Sequence, residues 1–219
     1  MDTSKIGMVL CAGITSAVAL AGSASAAGPE AGDWIVRAGA SIVAPESNNG
    51  TLYLDRVLGP GAPAADLEVD DGTSFTFTVS YFLTSHVAVE LLAAYPFTHD
   101  FTLQAPGLKI DGNVDHLPPT LSVQYHYPVG ENFIPYVGVG VNRTYFFNAD
   151  VNAPVDVNID DSTGLAGQIG LDIMVNKKWL VNAEVRYIDI SSNVDINKVN
   201  VGNVDINPWL FGLNVGYRF

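Results

Sequence analysis

Hydrophobic side chains return at every second position through most of this chain. Trp34, Val36, Ala38, Ala40 and Ile42 alternate with Ile35, Arg37, Gly39 and Ser41 until Pro45 ends the run. Phe75, Phe77, Val79, Tyr81 and Leu83 alternate in the same way with Thr76, Thr78, Ser80 and Phe82. Residues 87–95, 121–127, 165–175, 179–187 and 209–219 repeat the pattern. Residues 133–147 are apolar on both parities, with Gly138, Gly140 and Asn142 marking the face that has little room. Period two is the signature of a strand with one apolar face, so eight strands are expected.

The connections between these segments alternate in length. Links two, four and six are short, at residues 84–85, 128–132 and 176–178. Links one, three, five and seven are long, at residues 45–72, 96–115, 148–163 and 191–203. Short turns alternating with long loops around an even number of ten-residue strands describe an all-β, eight-stranded antiparallel transmembrane β-barrel with short periplasmic turns and long extracellular loops. A secreted soluble barrel, its apolar face turned inward, is the competing fold. Aromatic placement favours the membrane. Trp34, Tyr125, Tyr127, Trp179 and Tyr217 fall beside the short turns, and Phe75, Tyr95, Tyr145, Tyr187 and Trp209 beside the long loops. Two such girdles suit the two interfaces of a bilayer.

Composition sharpens this reading. Residues 1–7 carry one cation, Lys5, and an apolar run from Met8 to about Leu20 closes on Ala24-Ser25-Ala26. That is a secretory signal peptide over residues 1–26, leaving residues 27–219 as the barrel. The only cysteine, Cys11, lies inside the signal, so no disulfide framework is expected. The net charge of −13 makes nucleic acid a poor partner. No stretch after residue 26 reaches about 18 apolar residues, so no membrane helix is expected.

With the apolar parity facing lipid, the other parity fills the lumen. Near its bottom and middle fall Arg37, Arg186 and Arg218 against Glu90, Asp172 and Glu184, a set expected to pair as a charged plug. Eight strands enclose little more than their own side chains, so a straight aqueous channel is not expected. Toward the loop end the inward residues become apolar: Leu92, Ala94, Phe146, Ala166, Ile188 and Leu210. An apolar funnel over a polar plug would admit a small hydrophobic molecule from outside and leave it only a sideways exit into the membrane. Alternatively, these residues simply pack the upper barrel.

The stretches LPPTLSVQYHYP (residues 117–128), IPYVGVGVNRTYFF (residues 134–147), NPWLFGLNVGYRF (residues 207–219) and WIVRAGASIVAP (residues 34–45) resemble the OmpW family of eight-stranded outer-membrane proteins, AlkL among them. The resemblance spans essentially the whole chain after the signal. It implies a bacterial outer-membrane location in a Gram-negative cell and a hydrophobic channel that passes small apolar compounds with lateral release. It also implies that a last strand ending in Tyr217 and Phe219 resembles the signal read by the barrel assembly machinery. The expected partners are outer-membrane lipid, lipopolysaccharide, small hydrophobic solutes and that machinery, with the barrel a monomer.

Other chemistry has little support in the sequence. Some barrels of this membrane are lipid A-modifying enzymes, which need a base beside a nucleophile. His86 neighbours Ser85 in a tight turn, where adjacent side chains are expected to point apart. His126 and Ser122 share a face about 13 Å apart. His99 and His116 fall in or beside a long loop. No catalytic residue, cofactor or metal is therefore expected. The acidic loop residues Asp66, Glu68, Asp70, Asp71, Asp150, Asp156, Asp160 and Asp161 lack the spacing of a calcium loop and suit a solvated or cation-bridged surface beside lipopolysaccharide. A structural or receptor barrel, working through its loops, is the remaining class. The repeated VDVNID, VDIN and VDIN segments, starting at Val155, Val194 and Val204, are expected to be barrel strands running on past the membrane into a β-rich rim.

Overall fold

A computed structural model describes residues 28–46 and 49–219; the expected signal peptide lies outside them. Fifteen strands and one short helix follow in the order β1 (Trp34–Ala44), β2 (Thr51–Tyr53), α1 (Asp55–Leu58), β3 (Ala64–Val69), β4 (Gly72–Phe82), β5 (Val87–Ala94), β6 (Phe97–Ala105), β7 (Leu108–Leu117), β8 (Thr120–His126), β9 (Phe133–Val151), β10 (Val157–Ile159), β11 (Ser162–Met174), β12 (Trp179–Ile188), β13 (Ser191–Ile196), β14 (Val199–Asp205) and β15 (Trp209–Arg218).

The eight segments singled out by period two become β1, β4, β5, β8, β9, β11, β12 and β15. Each pairs antiparallel with two others, and the β9–β11 ladder, from Ser162 opposite Thr144 to Ile173 opposite Phe133, closes the ring. Closure leaves no edge, which a bilayer requires because lipid offers no partner for an unpaired amide. Parity is obeyed strand by strand. Phe75, Leu91, Val123, Val139, Leu165 and Leu213 are exposed on the outside, while Arg37, Thr78, Glu90, Gln124, Asp172 and Glu184 are buried within. At the short-turn end the outward Trp179 and Tyr217 rings meet edge to face at 5.0 Å, and at the other end Tyr187 and Trp209 lie 5.1 Å apart.

The long connections differ from the expected loops. Residues 96–115 form most of the β6–β7 hairpin, which pairs Phe97 with His116 through to Ala105 with Leu108. β7 pairs antiparallel with the upper half of the 19-residue β9, and β6, β3 and β2 add further strands beyond it. The Val155 and Val194 repeats contribute to β10 and β13, and the Val204 repeat overlaps the end of β14. Together these three strands make a separate sheet rather than prolonging barrel strands; β9 is the barrel strand that does run on. The two upper layers pack face to face through Leu52, Phe101, Leu103 and Val114 against Val194, Ile196, Val201 and Val204. A small β-sandwich thus caps the barrel.

Close packing inside the barrel depends on particular glycines. A Cβ on Gly39 would stand 2.0 Å from the Leu213 carbonyl oxygen and 2.7 Å from the Asn214 Cα, both backbone atoms of the paired strand. Gly167 has nothing within 4 Å of where its Cβ would stand. Gly39→Val is therefore expected to abolish the compact, heat-modifiable band of folded protein on gels, whereas Gly167→Ala should keep it.

Candidate functional site

From the periplasmic end upward, the lumen is filled in layers. The lowest is apolar: Ile35, Phe82, Ala88, Ile134, Met174 and Leu180 form one buried cluster. Of these, the alternation in the sequence named Ile35 and Phe82 on the inward parity, and only closure of the ring brings all six together as a stopper beneath the charges.

Above it lies a buried network. Arg37 grips Asp172 with two nitrogens, Nε donating to Oδ1 at 2.9 Å, while its Nη1 donates to Ser80 Oγ at 2.8 Å and pairs with Glu90 Oε2 at 3.4 Å. Arg186 Nη2 bridges Glu90 Oε1 at 2.9 Å and Glu184 Oε2 at 3.2 Å. Neutral donors add to the carboxylate shells, Gln168 to Glu90, Tyr136 to Glu184 and Asn182 to Asp172, although Glu184 Oε1 is left without a partner. Each buried ion thereby finds counter-charge and hydrogen bonds together, the condition under which charge tolerates a narrow interior. Five of the six expected plug residues meet here. Arg218 does not: its Nε lies 3.7 Å from Asp33 and its Nη1 donates to the Gly28 carbonyl at 3.0 Å, at the periplasmic rim. The last inward position of β15 is too low on the barrel for its side chain to join the network.

The expected apolar funnel is filled rather than open. Leu92, Leu210 and Ile188 are each at most 1 % exposed. Leu210 packs with Val43, Phe97 and Ala94, and Ala166 and Ile188 pack with Ile190, Phe146 and Ile206. These clusters make a floor. The open space lies higher, inside the sandwich cap: a small apolar cavity, partly open at its mouth. Of the six expected channel residues only Phe146 lines it, and Ile190 and Ile206 join it at the base. Its walls come from Leu52, Phe101, Leu103, Val114, Val194 and Ile196 among others, residues assigned to loops or rim by the sequence reading. The missed signal was the same period two: Phe97, His99, Phe101, Leu103 and Ala105 are buried, while Thr98, Asp100 and Gln104 between them are exposed.

Beside the floor the strand pairing of the barrel wall is interrupted. The β5–β8 ladder ends at Leu92 opposite Thr120, and pairing resumes only at Phe97 opposite His116 on β6–β7. Between these rungs stand Pro96, Pro118 and Pro119, which have no amide to donate. Ala94 touches the inner cluster and also lines a depression on the lipid-facing surface with Ala38, Phe75, Phe77 and Tyr95.

The histidines take distinct places. His86 Nδ1 lies 2.8 Å from Ser85 Oγ, so these neighbours do meet, against expectation, because residues 83–86 form a bend outside the strands, where side chains need not alternate. His86 also stacks on Tyr125, with ring centroids 5.8 Å apart. His126 Nε2 contacts Gln124 Oε1 at 2.9 Å inside the lumen. His99 and His116 stack in the cap, with centroids 4.9 Å apart. Burial holds the His99 imidazole below its usual value, and burial together with neighbouring His99 pushes His116 down to about 3.

Two outcomes follow from this geometry. Arg37→Met strands Asp172 without its buried partner and should cost about 3–5 kcal/mol in urea unfolding from vesicles. Arg143→Met, which breaks an exposed pair with Asp161, should stay within about 1 kcal/mol. The depressed histidines make the cap acid-sensitive. Below the unfolded value of 6.5 the unfolded chain takes up protons that folded His116 refuses. Cap stability is therefore whole above that pH and falls toward pH 3, by at most about 1.4 kcal/mol per unit for one ring. Amide NMR signals of residues 97–117 should weaken at pH 4 relative to pH 7, and His116→Phe should lessen that change.

The profile of the OmpW family matches residues 30–219 of the chain. Outer membrane protein W of Vibrio cholerae is 35% identical, the match covering 100% of both chains. Outer membrane protein AlkL of Ectopseudomonas oleovorans is 33% identical, covering 90% of this chain and 86% of that one. The crystal structure of OprG from Pseudomonas aeruginosa superposes with a TM-score of 0.76 at 34% identity, covering 88% of this chain and 98% of the other. Neither relative bears an enzyme's name. With a closed eight-stranded ring and a family match over almost all of its described length, this chain belongs to the OmpW family and is a β-barrel of the bacterial outer membrane, its apolar face against lipid.

Proposed function

We propose that this barrel is a passive, non-enzymatic entry route for small hydrophobic molecules. A solute enters the cap cavity from outside and leaves sideways into the membrane. The observation that carries the reading is the apolar cavity standing over a lumen closed first by an apolar floor and then by paired charges. Such a molecule gains by leaving water for the cavity, and the ion network beneath offers it nothing. Its onward route is the interrupted wall at Ala94, where the missing β5–β8 rungs adjoin a depression already facing lipid hydrocarbon. The floor around Leu92, Ile188 and Leu210 then acts as a guide toward that wall rather than as a pore lining. The barrel works as a monomer whose acidic outer residues lie among lipopolysaccharide headgroups, and its final Tyr217 and Phe219 serve recognition by the assembly machinery.

Phe146→Arg places a charge at the cavity base, and Ala94→Trp blocks the interruption in the wall. Each variant should lower uptake of a radiolabelled medium-chain alkane to the level of cells lacking the protein, at equal surface expression and unchanged heat modifiability. Normal uptake by both variants would overturn the route.

A further inference from the structure

The plug is one positive charge short. Two guanidiniums, Arg37 and Arg186, stand among three buried carboxyl groups, Asp172, Glu90 and Glu184, while Arg218 lies away at the periplasmic rim. A negative charge left uncompensated in a closed lumen is costly, and a carboxyl group so placed keeps a proton instead. His126 does not supply the third cation. Its ring packs against Phe82 and Tyr136, with centroids 4.8 Å away in each case, and its Nε2 meets Gln124 Oε1. Its Nδ1 has no partner, so an imidazolium there would bury an N–H donor with nothing to receive it.

Hydrogen bonds single out one of the three carboxyl groups. Both Asp172 oxygens receive Arg37, and Asn182 adds a donor to Oδ1. Both Glu90 oxygens are met as well: Arg186 and Gln168 donate to Oε1, Arg37 and Ser80 to Oε2. Glu184 differs. Its Oε2 takes two long contacts, from Arg186 Nη2 at 3.2 Å, a nitrogen already on Glu90, and from the Tyr136 hydroxyl at 3.3 Å. Its Oε1 has no partner, although the residue is only 3 % exposed, and Arg186 Nε, a donor on the adjoining guanidinium, has none either. A carboxylate draws an arginine into a two-nitrogen grip, as Asp172 does with Arg37. Glu184 leaves the second nitrogen unused. Its Oε1 is turned instead toward Gly212, where an added Cβ would stand 3.1 Å from that oxygen and 3.1 Å from Ser41 Oγ. Glycine thus keeps a small space with both oxygens at its edge. Ser41 Oγ pairs with Thr76 Oγ1 at 2.7 Å and has lone pairs left to accept a hydrogen bond.

We propose that Glu184 is held in the plug as a neutral carboxylic acid with its proton on Oε1, so that the folded barrel keeps one proton which the unfolded chain gives up at neutral pH. The two remaining carboxylates then match the two guanidiniums. The ionisable side chains around it are Arg37 on β1, Glu90 on β5, His126 on β8, Tyr136 on β9, Asp172 on β11 and Arg186 on β12; β4 and β15 turn only neutral groups inward at this level, Thr78, Ser80, Gly212 and Asn214. Losing the proton would leave an unbalanced anion one shared nitrogen away from Glu90, so alkali weakens the plug that closes the barrel. The device is independent of what the cap carries.

The test has two readouts on the folded barrel. In a detergent free of carbonyl groups at pH 7, infrared spectra should show one carboxylic acid carbonyl band, absent from Glu184→Gln and retained in Glu131→Gln, which alters an exposed turn residue. In urea unfolding from vesicles, the folding equilibrium should fall about tenfold between pH 7 and pH 8, because only the folded state holds the proton. Glu184→Gln should remove that slope and still fold, since glutamine reproduces the shape and the donor of the neutral acid. Glu90→Gln takes the anion from between two guanidiniums and should lower the folding equilibrium at pH 7. No acid band, a band that survives in Glu184→Gln, a pH slope that the variant leaves unchanged, or failure of Glu184→Gln to fold would each overturn the proposal.

Discussion

Everything in this molecule follows from the requirement that a chain crossing lipid satisfy its own backbone. Each barrel strand finds two partners, and the β9–β11 ladder joins the ends of what would otherwise be an open sheet. Closing at eight strands sets the diameter, and that diameter leaves a lumen its own side chains must fill. The outward parity is released for lipid, and the inward parity becomes a packing problem.

Charge solves the middle of that problem. Arg37 and Arg186 bind Asp172, Glu90 and Glu184 in a network where Glu90 touches both guanidiniums and neutral Gln168, Tyr136 and Asn182 each donate to one carboxylate. Below it, Phe82 and its apolar neighbours bar the periplasmic end. With the barrel stopped twice, any role that involves holding a molecule moves upward into the cap. There the upper half of β9 carries β7, β6 and β3, and the sheet of β10, β13 and β14 faces them across a cavity.

How much strand parity reveals differs by layer, for physical reasons. Parity identified the barrel strands because lipid on one side and a packed lumen on the other impose opposite demands on successive residues. It also placed Arg37, Glu90, Asp172, Glu184 and Arg186 inside, where they meet. It misjudged Arg218, because direction is a matter of parity whereas height depends on where the strand ends. Connection length alone marks the cap as loop, because a long link between barrel strands has the same length whether or not it pairs. Yet residues 97–105 alternate as cleanly as any barrel strand, with His99 as one of the buried members. Ser85 and His86 were expected to diverge as strand neighbours do, but a turn does not obey strand parity.

What the sequence by itself determined is the part governed by local period: the eight barrel strands, the lipid face, the aromatic interfaces, the inward charges and the family. What only the tertiary structure decided is which distant residues share a layer. The apolar floor, the interrupted wall at Ala94 and the cavity with His99 each assemble side chains from strands far apart in the chain. No local pattern records those distances, because they are set by ring closure and by the register with which β7 climbs β9. The place of His99 is the clearest case: its Nδ1 lies 2.6 Å from a single carbonyl, that of Asp70, which the pairing of β3 with β6 brings against the ring.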